Sequence, residues 1–299
     1  TSSAASDVYK RQDMNKCHLV CGLVIFLWIF QSSAFAAQWR QPDAKWLYKV
    51  VDDTELKLHV YTPEGHSTSD KRPAVIFFFG GGWNNGSPGQ HYSQCAHLAS
   101  RGMVAMSAEY RVKSRNQTTP KECVEDGKSA IRWVRAHATE LGIDPNRLAA
   151  GGASAGGHVA AAAGTVDSFD ATNEDLSVSS RPDALVLFNP VFDNGPGGFG
   201  HSRVKAYWKD ISPIHNISGL APPSIVFLGT EDEYIGAEVA VRYKKLMDQS
   251  GVRCDLHLYP EQAHGFFNPD RKNGYFEITL ETMDDFLTSL DFLDPKPRE

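Results

Sequence analysis

Apolar and polar residues follow two rhythms along this chain. Leu56, Leu58 and Val60 alternate with Lys57, His59 and Tyr61, the period-2 pattern of a half-exposed antiparallel strand. With the run at 46–52 and the polar turn at Asp52 and Asp53, they predict two short strands at the front of the fold. From residue 74 the rhythm changes. The apolar runs at 74–79, 102–110 and 184–189 read as strands buried on both faces, and further strands are predicted from Leu148 into Gly152, at 224–230 and at 254–259. Between them lie helix-like stretches at 93–101, 121–141, 159–163 and 237–250, with a final amphipathic one at 278–290. Val124, Ile131, Val134 and Leu141 recur at near-helical spacing, and Gly251 stops the fourth helix. Residues 63–73, 111–120 and the long stretch 190–218 read as loops. Strands alternating with helices predict an α/β fold: a mostly parallel twisted sheet with helices on both faces.

Composition narrows this only a little. The 299 residues are 41% hydrophobic and 22% charged, ordinary for a globular protein, and carry a net charge of -6. That charge argues against a nucleic-acid partner and gives no basic face for an anionic membrane. The front end is more informative. Residues 1–13 resemble translated non-native sequence, which makes Met14 the expected start. Lys16, the apolar run 19–30 and the cleavage-like Ser33-Ala34-Phe35-Ala36 predict a signal peptide over 14–36, cut near Ala36. The run is short for a membrane span, so an uncleaved anchor is the lesser alternative, and Val20 before Cys21 spoils a lipobox. The mature chain, 37–299, is then expected to be one domain, secreted or periplasmic, with no stable membrane insertion. Three cysteines survive cleavage. The helices that carry Cys95 and Cys123 flank the strand 102–110, so a Cys95–Cys123 disulfide with a free Cys254 is expected, and three free thiols is the alternative.

The candidate chemistry centres on Gly152-Ala153-Ser154-Ala155-Gly156. It lies between an apolar run and an alanine-rich helical stretch. In a G-x-S-x-G turn the serine takes a strained backbone conformation, and the glycines leave room for strand and helix to crowd together. Alone, the motif is equally a βα turn whose serine caps a helix. Acyl transfer further needs a base, a group to orient it, and donors for an oxyanion. His264 follows the last strand, with Gly265 behind it to let a loop hold the ring toward Ser154. Asp232 ends the strand 224–230 at the sheet's carboxyl edge, and its neighbours Glu231 and Glu233 should point elsewhere. Gly80-Gly81-Gly82 ends the strand 74–79. The amides of Gly81 and Gly82, with that of Ala155, are the expected oxyanion donors. His158 reads as structural, and Glu109-Tyr110-Arg111 as a hydrogen-bonded, ion-paired group behind the site. Trp83, Phe192, Phe199, Tyr207 and Trp208 are aromatic candidates for lining it, with Trp83 and Phe192 the preferred substrate contacts.

These motifs together resemble the hormone-sensitive-lipase-like branch of the α/β-hydrolases, which carries H-G-G-G upstream of G-x-S-A-G-G. The resemblance runs from about residue 46 to residue 293. It implies an α/β-hydrolase fold and carboxylic-ester hydrolysis without metal or cofactor. It also implies a Ser154, Asp232, His264 triad in the family's chain order, with Gly81, Gly82 and Ala155 as oxyanion donors. The chain departs from the pattern at Phe79, which stands where many members have histidine. The family's N-terminal lid is not expected either, which favours a small acyl group. More narrowly, the stretches 77–83, 108–111 and 189–198 resemble secreted bacterial acetyl xylan and carbohydrate esterases. The expected function is therefore hydrolysis of short acyl esters through an acyl-serine, with acetylated plant polysaccharide or oligosaccharide as substrate. Rivals are a general carboxylesterase, a peptidase of the same fold and a catalytically inactive binding module. No oligomeric state is legible.

Overall fold

The computed structural model describes residues 40–296, so the expected read-through at 1–13 and signal peptide at 14–36 lie outside the described residues. β1 (Ala44–Val51) and β2 (Thr54–Tyr61) form the expected antiparallel pair, but β1 takes the edge, and His59 and Tyr61 of β2, expected on an exposed face, are buried. The two strands join β3 (Arg72–Phe78), β4 (Val104–Ala108), β5 (Ile143–Ala153), β6 (Ala184–Phe188), β7 (Ser224–Gly229) and β8 (Cys254–Tyr259) in an eight-stranded sheet. The strand order is β1-β2-β4-β3-β5-β6-β7-β8. β2 meets β4 antiparallel, and every pair from β4 to β8 is parallel.

The continuous apolar runs are explained by cover on both sides. In β3, Ile76 and Phe78 belong to one hydrophobic cluster, and Val75 and Phe77 to another. The first cluster is closed by α2 (Pro120–Ala136), α3 (Ala155–Thr165) and α4 (Ala237–Gln249). The second is closed by α1 (Tyr92–Ser100) and α5 (Tyr275–Thr288). α2 starts where Pro120 needs no N–H partner and the Thr119 amide donates to the Glu122 carboxylate at 2.7 Å.

Three expectations are corrected. The helix expected over 121–141 ends at Ala136. The chain then turns through residues 137–142, and β5 begins at Ile143, five residues before the apolar run that marks it in the sequence. Ile143 pairs with Arg72 across an irregularity in the ladder, beyond which Ala74 pairs with Leu148. The stretch 190–218 is not bare loop: it contains helical turns at His201–Val204, Trp208–Ile211 and Pro213–His215. The third correction is the disulfide. Cys95, Cys123 and Cys254 are all free thiols. α1 and α2 do flank the strand between them, but on opposite faces of the sheet, so Cys95 and Cys123 sit in different cores. The Cys123 thiol donates to the Arg111 carbonyl at 3.1 Å, and burial pushes both thiols well above the usual range.

Candidate active site

β3, β5, β7 and β8 all deliver their carboxyl ends to one edge of the sheet, where open α/β sheets form their clefts. A cleft of about 370 Å³ lies there, with Gly81, Gly82, Ser154, Asn189 and His264 in its wall. Ser154 sits between β5 and α3 with φ 54° and ψ -118°, a conformation that costs a non-glycine residue on the order of 1–3 kcal/mol. The close packing behind it explains the flanking glycines. A Cβ on Gly156 would lie 2.0 Å from the Phe78 carbonyl oxygen, and one on Gly152 would lie 2.4 Å from it. Any side chain there would push the serine out of register with β3.

His264 follows β8 and meets Asp232 across the loop ends. Its Nδ1 lies 2.7 Å from Asp232 Oδ2. The other carboxylate oxygen of Asp232 accepts the amides of Tyr234 at 3.0 Å and Ile235 at 2.9 Å. Three donors therefore fix a buried carboxylate, which makes it the acceptor of the Nδ1 proton and leaves Nε2 bare. Glu233, its neighbour, is exposed, and its carboxylate accepts the His264 amide at 3.4 Å.

The glycine loop is held by groups the sequence did not single out. The Gly80 amide donates to Gln90 Oε1 at 2.6 Å, so it faces away from any substrate. The Gly81 carbonyl accepts the amides of Asn84 and Asn85 at 3.0 and 3.2 Å. The Gly82 carbonyl accepts the Arg203 guanidinium, which also lies over Trp83 and Phe199. With the carbonyls so tied, the amides of Gly81 and Gly82 donate to no acceptor among the described residues. A Cβ on Gly81, at φ 122°, would lie 2.3 Å from the Asn85 oxygen, so the turn admits only glycine. The Ala155 amide opens α3 and has no partner within the helix. Phe79, in the histidine's place, stacks on Tyr110 at 4.1 Å, and the Tyr110 hydroxyl donates to the Phe79 carbonyl at 2.6 Å. An aromatic stack and one hydrogen bond thus fix the start of the loop.

Behind the cleft, Glu109 meets His59 Nε2 at 3.0 Å, and Arg111 grips both oxygens of Asp126 at 2.8 Å. His158 is wholly buried: its Nε2 proton faces Asn194 Oδ1 at 2.9 Å and the Ile211 carbonyl at 3.1 Å. Burial holds its pKa down to about 4, and that of buried His91 down to about 3, against about 6.5 in an unfolded chain. Between those values the unfolded chain takes up protons the folded one refuses. Stability from this source is therefore full above about pH 6.5 and is lost as the pH falls toward 4. Tm should drop from pH 7 to pH 5, and His158→Gln should shrink the drop; an unchanged drop would absolve this imidazole.

The aromatic candidates divide. Phe199 lines the cleft. Trp83 is buried, packs edge-on against His158 at 5.0 Å, and borders a separate cavity of about 410 Å³. Phe192, the other preferred substrate contact, is corrected to a core residue: it is buried and stacked on Tyr243 at 3.7 Å. Tyr207 hydrogen-bonds Thr119, and Trp208 packs on His215. Sequence reasoning missed Tyr234, which stands edge-on to His264 at 5.1 Å in the cleft wall. It also missed Asn189, Gln90 and Arg203, whose partners are remote in sequence.

Known proteins agree with this frame. The BD-FAE family model matches residues 58–193 and the dienelactone hydrolase family model residues 198–292. Esterase 2 of Thermogutta terrifontis, solved with propionate bound, is 44% identical with a TM-score of 0.81, covering 85% of this chain and 96% of that one. Its butyrate-bound structure is 43% identical, with the same TM-score and coverage. Carboxylesterase NlhH of Mycobacterium tuberculosis is 28% identical over 72% of each chain. Acetylxylan esterase of Xylanibacter ruminicola is 24% identical over 96% of this chain and 56% of its own length. With its esterase sheet, its serine elbow and these relatives, the chain belongs to the α/β-hydrolase carboxylesterases, in their hormone-sensitive-lipase-like branch.

Proposed function

We propose that this carboxylesterase removes short acyl groups, acetyl foremost, from plant polysaccharide or oligosaccharide, using Ser154 as nucleophile. The observation that carries the reading is His264, held by Asp232 from behind, sharing one cleft with a strained serine and two glycine amides. His264 Nε2 takes the Ser154 proton as Oγ attacks the ester carbonyl. The amides of Gly81, Gly82 and Ala155 hold the oxyanion, and Asp232 holds the imidazolium. Collapse releases the alcohol, and water then resolves the acyl-serine by the same route. The acetylxylan esterase relative supports carbohydrate as the alcohol half. The apolar run 19–30 and its Ser33–Ala36 cleavage pattern support action in the periplasm or outside the cell. A carboxylesterase without sugar preference is the second reading, favoured by the likeness to the Thermogutta esterase.

A short acyl group is supported by that relative. Propionate and butyrate are bound in the Thermogutta relative. Each methylene that finds apolar cover contributes about 0.8 kcal/mol, and one left in water contributes nothing. The expected result is a kcat/KM maximum between acetyl and butyryl nitrophenyl esters and a fall by octanoyl; an optimum at decanoyl would contradict it. In the same panel, acetylated xylan oligomers should outperform simple alkyl acetates, and equal rates would favour the second reading.

A further inference from the structure

Asn189 directly follows β6 with φ 34°, is buried, and forms part of the cleft wall. Its Oδ1 accepts the Gly265 amide at 3.0 Å, which fixes the orientation of the side-chain amide. The NH2 group is thereby turned toward His264, with Nδ2 3.4 Å from Nε2. One amide thus ties down the loop behind His264 and points a donor at the nitrogen that serves as base.

That donor cannot keep its partner through the reaction. While Nε2 is bare it accepts. Once it holds the Ser154 proton it donates, and two N–H groups face each other. The Asn189 side chain stays anchored by Gly265, so its freed N–H must find another acceptor close to Nε2. In the tetrahedral intermediate two oxygens lie beside Nε2–H, Ser154 Oγ and the ester's alkoxy oxygen, and only the alkoxy oxygen gains negative charge as the alcohol leaves. We infer that Asn189 is a leaving-group contact, which donates a hydrogen bond to the alkoxy oxygen as its bond to the carbonyl carbon breaks. In that step the C–O electron pair moves onto the alkoxy oxygen, the Nε2 proton follows it, and the carbonyl of the acyl-serine re-forms. Asn189 supplies a hydrogen bond and transfers nothing. The inference rests on Ser154 and His264 acting as proposed above.

A donor to a departing oxygen matters most where negative charge accumulates on it. For p-nitrophenol the charge is delocalised into the ring. For an alkyl or sugar alcohol it stays on oxygen. Asn189→Ala and Asn189→Gly should therefore lower kcat/KM for ethyl acetate or acetylated xylose by about 100-fold, the low end of what loss of one oxyanion donor costs. The p-nitrophenyl acetate value should fall much less, by the loss of the Gly265 tether alone. Asn189→Gly puts no new charge beside Nε2 and suits φ 34°, so it serves if the Ala variant folds poorly. A series of substituted phenyl acetates should show a steeper dependence of log kcat/KM on leaving-group pKa in both variants. A uniform loss across all esters, or an unchanged slope, would reduce Asn189 to a loop tether and overturn the inference. Failure of the underlying reading looks different: Ser154→Ala would then retain activity on every ester.

Discussion

Ser154→Ala should lower kcat by at least about three orders of magnitude while leaving the fold and Tm near those of the parent. Alanine tolerates φ 54° no worse than serine, and the hydroxyl takes no part in capping α3, so removing it disturbs only the chemistry. His264→Ala should match it. The double variant should be no worse than either, because a nucleophile without its base and a base without its nucleophile fail at the same step. The residual rate comes from binding and from the amides of Gly81, Gly82 and Ala155. Near-normal ester hydrolysis by Ser154→Ala would remove the proposed mechanism whole.

Asp232→Asn should cost about three to four orders of magnitude at neutral pH, for a reason readable from its contacts. Oδ1 is fixed by the amides of Tyr234 and Ile235, so an asparagine would keep its carbonyl there and turn its NH2 toward His264 Nδ1. Two donors cannot face each other, so the ring would move its proton to Nε2 and could no longer accept the one from Ser154. KM should change little, since Asp232 has no place in the cleft wall. A loss under tenfold would mean that another group, such as exposed Glu233, orients the ring.

What could be read in the sequence was what is local. The strained serine and the glycine turn are each written in a few consecutive residues, because steric crowding between a strand and the next helix must be solved where it occurs. Asp232 and His264 were legible through their places at the ends of β7 and β8, since parallel strands in one sheet bring their carboxyl ends together. The failures share a different cause. Nothing in the patterns of α1 and α2 states which face of the sheet each covers, and that choice alone separates Cys95 from Cys123. Phe192 looks like a cleft aromatic until Tyr243, 51 positions along the chain by numbering, is found stacked on it. Gln90 reaches 10 positions to Gly80, Asn189 reaches 75 to His264, and Arg203 reaches 121 to Gly82. A polar side chain's function is set by its partner, and partners at such separations leave no local trace.

The most direct measurement of the central claim is chemical labelling of the nucleophile. Paraoxon phosphorylates the Thermogutta esterase, and the same reagent can be titrated against this protein while hydrolysis of p-nitrophenyl acetate is followed. Intact-mass analysis and peptide mapping then locate the diethylphosphoryl group. The account predicts one group per chain, on Ser154, with activity falling in proportion to its incorporation and no labelling of the Ser154→Ala variant. A stoichiometric label on any other residue, or full activity in a fully labelled Ser154 protein, would contradict it.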